Sequence, residues 1–190
     1  MPVCRELFPV VMKKHPDRAF TYQLGRSVGL TNHFTCLFGP KGVEIIRWMR
    51  KYHAACIGDA VLWFITKRHK FEFIDVFVPI SGLTAAIEQL EKVVGPMDET
   101  VHNKMAIMRL LYCPLVNTEY RLRIFGYPGT LAKTVHLQDI NIRQLFWEPN
   151  RPTELYVRHL DSIQNRAVAI THNNGKPSQD RLAKYKASGF

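Results

Sequence analysis

The chain has 190 residues, 46% of them hydrophobic, with 26 Lys and Arg against 16 Asp and Glu, a net charge of +10 and a pI near 9.6. Such a composition excludes wholesale disorder, because disordered chains are too polar to bury a core, and no apolar run approaches the roughly 18 residues that span a bilayer. The cationic surplus favours a polyanionic partner, either nucleic acid or an acidic membrane surface.

Four cysteines, Cys4, Cys36, Cys56 and Cys113, are too sparse for a secreted disulfide scaffold, so a reducing compartment is expected. The opening MPVCRELFPVVMKK lacks both the apolar centre of a secretory signal and the acid-free, Arg-rich character of a transit peptide.

In chain order, CRELFPVVMK (Cys4 to Lys13) reads as a first strand, with Pro9 marking an edge or bulge, and HPD as a turn. Asp17 is placed to cap a helix carrying Phe20, Leu24 and Val28, and NHFTCLFGPKG follows as a loop or as the frayed end of that helix. VEIIRWMRKYH and DAVLWFIT read as one long strand interrupted near Gly58. FEFIDVFV is the next strand, with Phe71, Phe73, Asp75 and Phe77 alternating against Glu72, Ile74, Val76 and Val78. The aromatic face is expected to be core, packed against two helices.

After Pro79, Ser81 can cap a helix whose Leu83, Ile87, Leu90 and Val94 form one apolar stripe, ended by Gly95 and Pro96. TVHNKMAIMRLL reads as a last strand. The order is β-α-β-β-α-β, so residues 1–112 are expected to form an α+β, ferredoxin-like split βαβ domain with an antiparallel sheet. Residues 113–190 read as a mixed C-terminal extension. It holds a strand at EYRLRIF, a turn at GYPGT and a helix over 153–170, capped by Thr153, with Tyr156, Leu160, Ile163, Ala167 and Ile170 on one face. The polar, basic tail THNNGKPSQDRLAKYKASGF has no core periodicity and is expected to order only on a partner.

The candidate RNA-binding residues follow from charge. Lys67, Arg68, His69 and Lys70 are consecutive at an expected hairpin tip, where two glycine-like residues would make the turn. Further candidates are Arg47, Arg50 and Lys51, and the tail cations Lys176, Arg181, Lys184 and Lys186. Two His-x-x-Cys pairs, His33 with Cys36 and His53 with Cys56, have the residue types of a zinc site. Chance spacing and buried thiols explain them as well, and no metal is assigned. There is no G-x-S-x-G, no P-loop and no H-E-x-x-H, and GPKG lacks the Walker spacing. The expectation is a non-catalytic protein with no cofactor, no small-molecule substrate and no membrane association.

One ordered set of features resembles the bacterial-type small-subunit ribosomal protein S-six family, especially its mitochondrial members. Leu62, Ile65, Thr66 and Lys67 resemble the end of a strand before a basic hairpin, and Pro79 closes an aromatic strand. Ile87, Leu90 and Glu91 resemble the helix signature, Asp98 and Val101 the opening of a last strand, and Met108-Arg109 its end. The set spans roughly 61–109, with a fair match over 1–14 and none beyond about residue 112. The resemblance implies a ferredoxin-like fold and a structural role in the small subunit of a mitochondrial ribosome, in the matrix. It also implies contact with ribosomal RNA and with a neighbour of the ribosomal protein S-eighteen type. The alternative reading is a single-stranded-RNA-binding protein like an RNA-recognition motif, in which KFEFIDV would present rings to bases.

Overall fold

Nine strands and seven α-helices form among residues 12–14, 20–23, 29–66, 71–95, 98–101, 107–115 and 118–190, the residues that the computed structural model describes. Strands β1 (Met12–Lys14) and β2 (Phe20–Gln23) precede helices α1 (Gly29–Leu37) and α2 (Gly42–Lys51). Strand β3 (Ala55–Ile57), helix α3 (Asp59–Thr66), strand β4 (Phe73–Pro79) and helix α4 (Leu83–Val94) follow. Then come β5 (Asp98–Val101), β6 (Ile107–Leu115), β7 (Thr118–Tyr127), α5 (Leu131–His136), β8 (Leu145–Trp147), β9 (Glu154–Val157), α6 (Leu160–Gln164) and α7 (Lys176–Ala187).

The strands make one mixed sheet in the order β1-β2-β9-β8-β3-β4-β7-β6-β5. Strand β4 pairs parallel with β7, and the other pairs are antiparallel. Alternation along β4 sorts its side chains. Ile74, Val76 and Val78 enter the main core, with Leu83, Ala86, Ile87 and Leu90 of α4, Ile45, Ile46, Trp48 and Met49 of α2, and Ala60, Val61, Leu62 and Ile65 of α3. Phe77 points the other way, into a smaller cluster with Ala55, Ile57, Tyr127, Leu131 and Val135. Trp147 is fully buried and stacks on Phe34, ring centroids 5.0 Å apart. The Trp48 indole donates to the Ala86 carbonyl at 2.7 Å, tying α2 to α4.

The α+β class and the mixed layering are therefore real, as are β4, the apolar stripe of α4 and its end at Gly95 (φ 93°). The split βαβ order is not seen in the strand order, and β4 has a parallel neighbour. VEIIRWMRKYH and DAVLWFIT are mostly helical rather than one strand: α2 and α3 flank the three-residue β3. The buried positions of α2, Ile45, Ile46, Trp48 and Met49, have helical spacing. Phe20–Gln23 is a strand, not part of a helix, and NHFTCLFGPKG is largely α1 and a short 3-10 turn. The aromatic face of β4 is not the face that meets the helices of the main core. The expected helix over 153–170 is instead β9 and the short α6, because Leu155, Tyr156 and Val157 are all buried beside β2 and β8. The tail forms α7, with Tyr185 buried. The expected strand over residues 4–13 lies mostly outside the described residues.

The boundary expected at residue 112 falls inside β6, and strands from both sides of it alternate across the sheet. Deleting residues 113–190 would take β7 from between β4 and β6 and remove Leu145, Trp147 and Leu155 from the core. The truncated chain is expected to be unfolded by circular dichroism; a cooperative melt from it would restore the boundary. Trp147→Ala in the full chain should cost about 3–5 kcal/mol, read from urea unfolding.

Candidate functional site

Asp75 sits mid-way along β4 on the side opposite Ile74 and Val76, and is buried. The parallel register places Arg123 of β7 directly beside it. Arg123 grips the carboxylate with both prongs, Nε to Oδ1 at 2.6 Å and Nη2 to Oδ2 at 2.8 Å. Its guanidinium lies over the Phe73 ring, 4.1 Å from the centroid. Two residues along, Phe77 and Phe125 face each other in the same register and stack at 4.9 Å.

A second set of polar groups comes from residues 138–144, between α5 and β8. Asp139, Asn141, Arg143 and Gln144 are all buried. Asn141 fastens the segment to residues 167–169: its Nδ2 donates to the Ala167 carbonyl at 2.9 Å and its Oδ1 accepts from the Ala169 N–H at 2.9 Å. Gln144 reaches the carbonyls of His136 and Gln138, and its Oε1 meets His159 Nε2 at 3.1 Å. Burial holds the His159 imidazole below its ordinary pKa, with the Arg158 charge adding to the effect. With its neighbours satisfied in this way, the segment can present Arg143 to three carboxylates. Nε lies 3.1 Å from Asp59 Oδ1, Nη2 3.3 Å from Asp75 Oδ2 and Nη1 3.8 Å from Asp139 Oδ1.

Asp59 reaches the cluster because the chain turns sharply from β3 into α3 at Gly58 (φ 70°). The left-handed φ is what calls for glycine there; a Cβ would only touch the Arg143 guanidinium, at 3.4 Å. Helix α7 closes the other side. Ser178, Arg181 and Tyr185 fall at i, i+3 and i+7 on one helical face. The Ser178 hydroxyl donates to Asp139 Oδ2 at 2.8 Å, Arg181 Nε donates to the same oxygen at 2.7 Å, and the Tyr185 hydroxyl donates to Asp59.

Three arginines and three aspartates thus share one network. Burial works against the Arg143 charge, but Asp59, Tyr185, Asp75 and Asp139 hold its proton more firmly than usual. Burial, then the neighbouring Asp59 carboxylate, push the Tyr185 phenol well above its ordinary value, against the pull of Arg143. A cleft of about 250 Å³ opens over the network, lined by Asp75, Arg123, Asp139, Arg143 and Arg181, with Phe77 and Phe125 beside them. The Asp75 and Asp139 side chains are 7% and 4% exposed, whereas Arg123 and Arg181 are 24% and 36% exposed. The cleft therefore shows a cationic surface backed by buried carboxylates, next to an aromatic pair. Among the described residues, no group of three His, Cys, Asp or Glu side chains is placed to hold a metal ion.

Of the cations expected from sequence that fall among the described residues, only Arg181 lines this cleft. Arg47, Arg50 and Lys51 are exposed on α2, with Arg50 Nε donating to the Pro149 carbonyl at 3.3 Å and Lys51 lying over Tyr52. Lys176, Lys184 and Lys186 are exposed on α7. Lys67, Arg68, His69 and Lys70 lie outside the described residues. Cys36 is exposed and Cys56 is buried in β3, its thiol pushed up by burial and by Asp75. Sequence reasoning missed Asp59, Asp75, Arg123, Asp139 and Arg143. The legible signal was QDINIRQ, where polar residues alternate with Ile140 and Ile142 as they do in a buried strand.

No family profile and no curated protein matches the sequence. Solved structures do. A Thermotoga maritima CCA-adding enzyme complexed with tRNA superposes with a TM-score of 0.53 and 17% identity, over 70% of this chain and 33% of that one. A CCA-adding enzyme with ATP gives 0.55 and 16%, over 77% and 36%. A tRNA-processing enzyme gives 0.50 and 12%, over 68% and 36%. The likeness is one of fold. The chain spans about a third of the length of these structures.

This likeness overturns the resemblance to the ribosomal S-six family, and with it the roles as a ribosomal constituent and as a partner of ribosomal RNA and an S-eighteen-type neighbour. Part of the local pattern behind the resemblance is present, with Pro79 ending β4, Ile87, Leu90 and Glu91 in α4, and Asp98 and Val101 in β5, but Leu62, Ile65 and Thr66 lie in α3, not in a strand. The expectations of a non-catalytic protein and of no small-molecule substrate are overturned too, since the neighbours are enzymes solved with tRNA, ATP or CTP. The absence of G-x-S-x-G, P-loop and H-E-x-x-H speaks only against the enzyme classes that use those motifs.

The Tyr185 shift has a sign. Its folded-state pKa lies above the ordinary 10.0, so its contribution to stability is complete below that value and is lost as pH rises through the raised one. The melting temperature is expected to fall as pH rises above about 10, and by less in Tyr185→Phe. Equal losses in the two proteins would remove Tyr185 from the alkaline transition.

Proposed function

We propose that this chain binds a nucleotide, free or at the end of an RNA, in the cleft between β4, β7 and α7. The observation that carries the reading is the pairing of a cationic pole with an aromatic one. Arg123 and Arg181 are each oriented by a buried aspartate, and Phe77 and Phe125 stack beside them. Guanidinium forks suit phosphate oxygens, and rings suit bases. The likeness to CCA-adding enzymes, solved with tRNA, ATP and CTP, supports the same reading.

RNA is the proposed macromolecular partner. The exposed Arg47, Arg50 and Lys51 of α2, and Lys176, Lys184 and Lys186 of α7, are the proposed backbone contacts, in keeping with the +10 charge. Transfer of the bound nucleotide to an RNA 3′ end is the activity to assay, with labelled ATP or CTP and a tRNA lacking its terminal residues.

The binding test is direct. ATP or CTP titrated into the full chain should saturate, and Arg181→Gln should weaken the affinity about tenfold, the worth of one charged hydrogen-bonding group. Near-ultraviolet circular dichroism checks that the variant keeps its fold. Absence of saturable binding up to millimolar nucleotide would sink the reading.

A further inference from the structure

Polymerases clamp the attacking and leaving oxygens of a phosphoryl transfer between two metal ions held by carboxylates. The aspartates here do not fit a divalent ion. Asp59, Asp75 and Asp139 each face Arg143, which is 10% exposed and lies within 3.1, 3.3 and 3.8 Å of them. Asp75 is also held bidentately by Arg123, and Asp139 by Arg181 and Ser178. An entering cation would meet a fixed positive charge at its own position and would have to strip carboxylates from arginines. Three guanidiniums already balance the three carboxylates.

We infer that Arg143 is a built-in cation in the place of a divalent ion, and that the cleft takes phosphate without a metal, through Arg123 and Arg181. The inference rests on the nucleotide reading above. Its chemistry lies in the donor count. A guanidinium has five N–H groups. Arg123 and Arg181 each commit Nε and Nη2 to their aspartate, which leaves N–H groups on Nη1 and Nη2 of each to meet an anion in the cleft they line. The aspartates aim the forks, and Arg143 holds those aspartates in place.

Two measurements test this on the full chain. ATP is titrated in EDTA and again in excess Mg²⁺, and the expected affinities agree within about threefold, less than one charged contact contributes. Affinity that collapses about thirtyfold or more in EDTA would overturn the inference and keep the nucleotide reading, whereas no binding in either buffer would overturn both. The second measurement uses Mn²⁺ alone, followed by electron paramagnetic resonance and thermal melting. The wild-type chain should neither take up Mn²⁺ at micromolar concentration nor gain melting temperature from it. Arg143→Met should melt lower and regain part of the loss with Mn²⁺, and Arg143→Lys should melt between the two. Micromolar Mn²⁺ binding by the wild type would overturn the inference even if Arg143→Met fails to fold.

Discussion

A guanidinium without solvent and without partners is among the costliest groups a protein can bury, and Arg143 is tolerable only where three carboxylates surround it. That constraint reaches across the molecule, because the three come from distant parts of the chain. Asp59 begins α3, Asp75 lies in β4, and Asp139 precedes the turn that carries Arg143 itself. None of these charges is well placed alone. Remove any one and the rest are left buried with less compensation, so the elements that carry them must dock together or not at all.

The fold meets the constraint with two backbone devices. The parallel pairing of β4 with β7 sets Asp75 beside Arg123 and Phe77 beside Phe125 in one register, so a slip of β7 by one residue would send Arg123 and Phe125 to the opposite face. Gly58, at φ 70°, lets β3 turn into α3 and so brings Asp59 to the Arg143 guanidinium. The apolar core below is supplied by the other face of the same strands, Cys56, Ile74, Val76, Leu122 and Ile124. One sheet thus carries the hydrophobic core on one side and the charged network on the other.

The sequence made some of this legible. Helix α4 keeps one stripe buried and one face wet, so periodicity and burial agree; β7 alternates, and β4 reads as an apolar run broken by Asp75. Helix α3 was misread because Ala60, Val61, Leu62, Ile65 and Thr66 are buried nearly all round, and a short, wholly apolar run does not distinguish helix from strand. The spacing of Tyr156, Leu160 and Ile163 does suit a helix, but pairing of residues 154–157 with β2 and β8 overrode it. Helix α7 looked unstructured for a different reason. Its attachment is chiefly polar, through Ser178, Arg181 and Tyr185, and hydrophobic periodicity carries no signal for that.

The site was hidden by the same charge that advertised a nucleic-acid partner. A net +10 directs attention to clustered surface cations, such as Lys67 to Lys70, since those dominate the long-range field. The arginines that build the cleft contribute little to that field, because Asp59, Asp75 and Asp139 cancel them at close range. In the sequence, Asp75 and Arg123 are 48 positions apart and Asp139 and Arg181 are 42, and no local motif records either pairing. What could have been read is the conflict itself. Asp75 interrupts an otherwise apolar strand, and Asp139, Asn141 and Arg143 alternate with Ile140 and Ile142 just before the apolar Leu145, Phe146 and Trp147. Polar groups placed where burial is expected must find each other, and an aspartate and an arginine in two such places are natural partners.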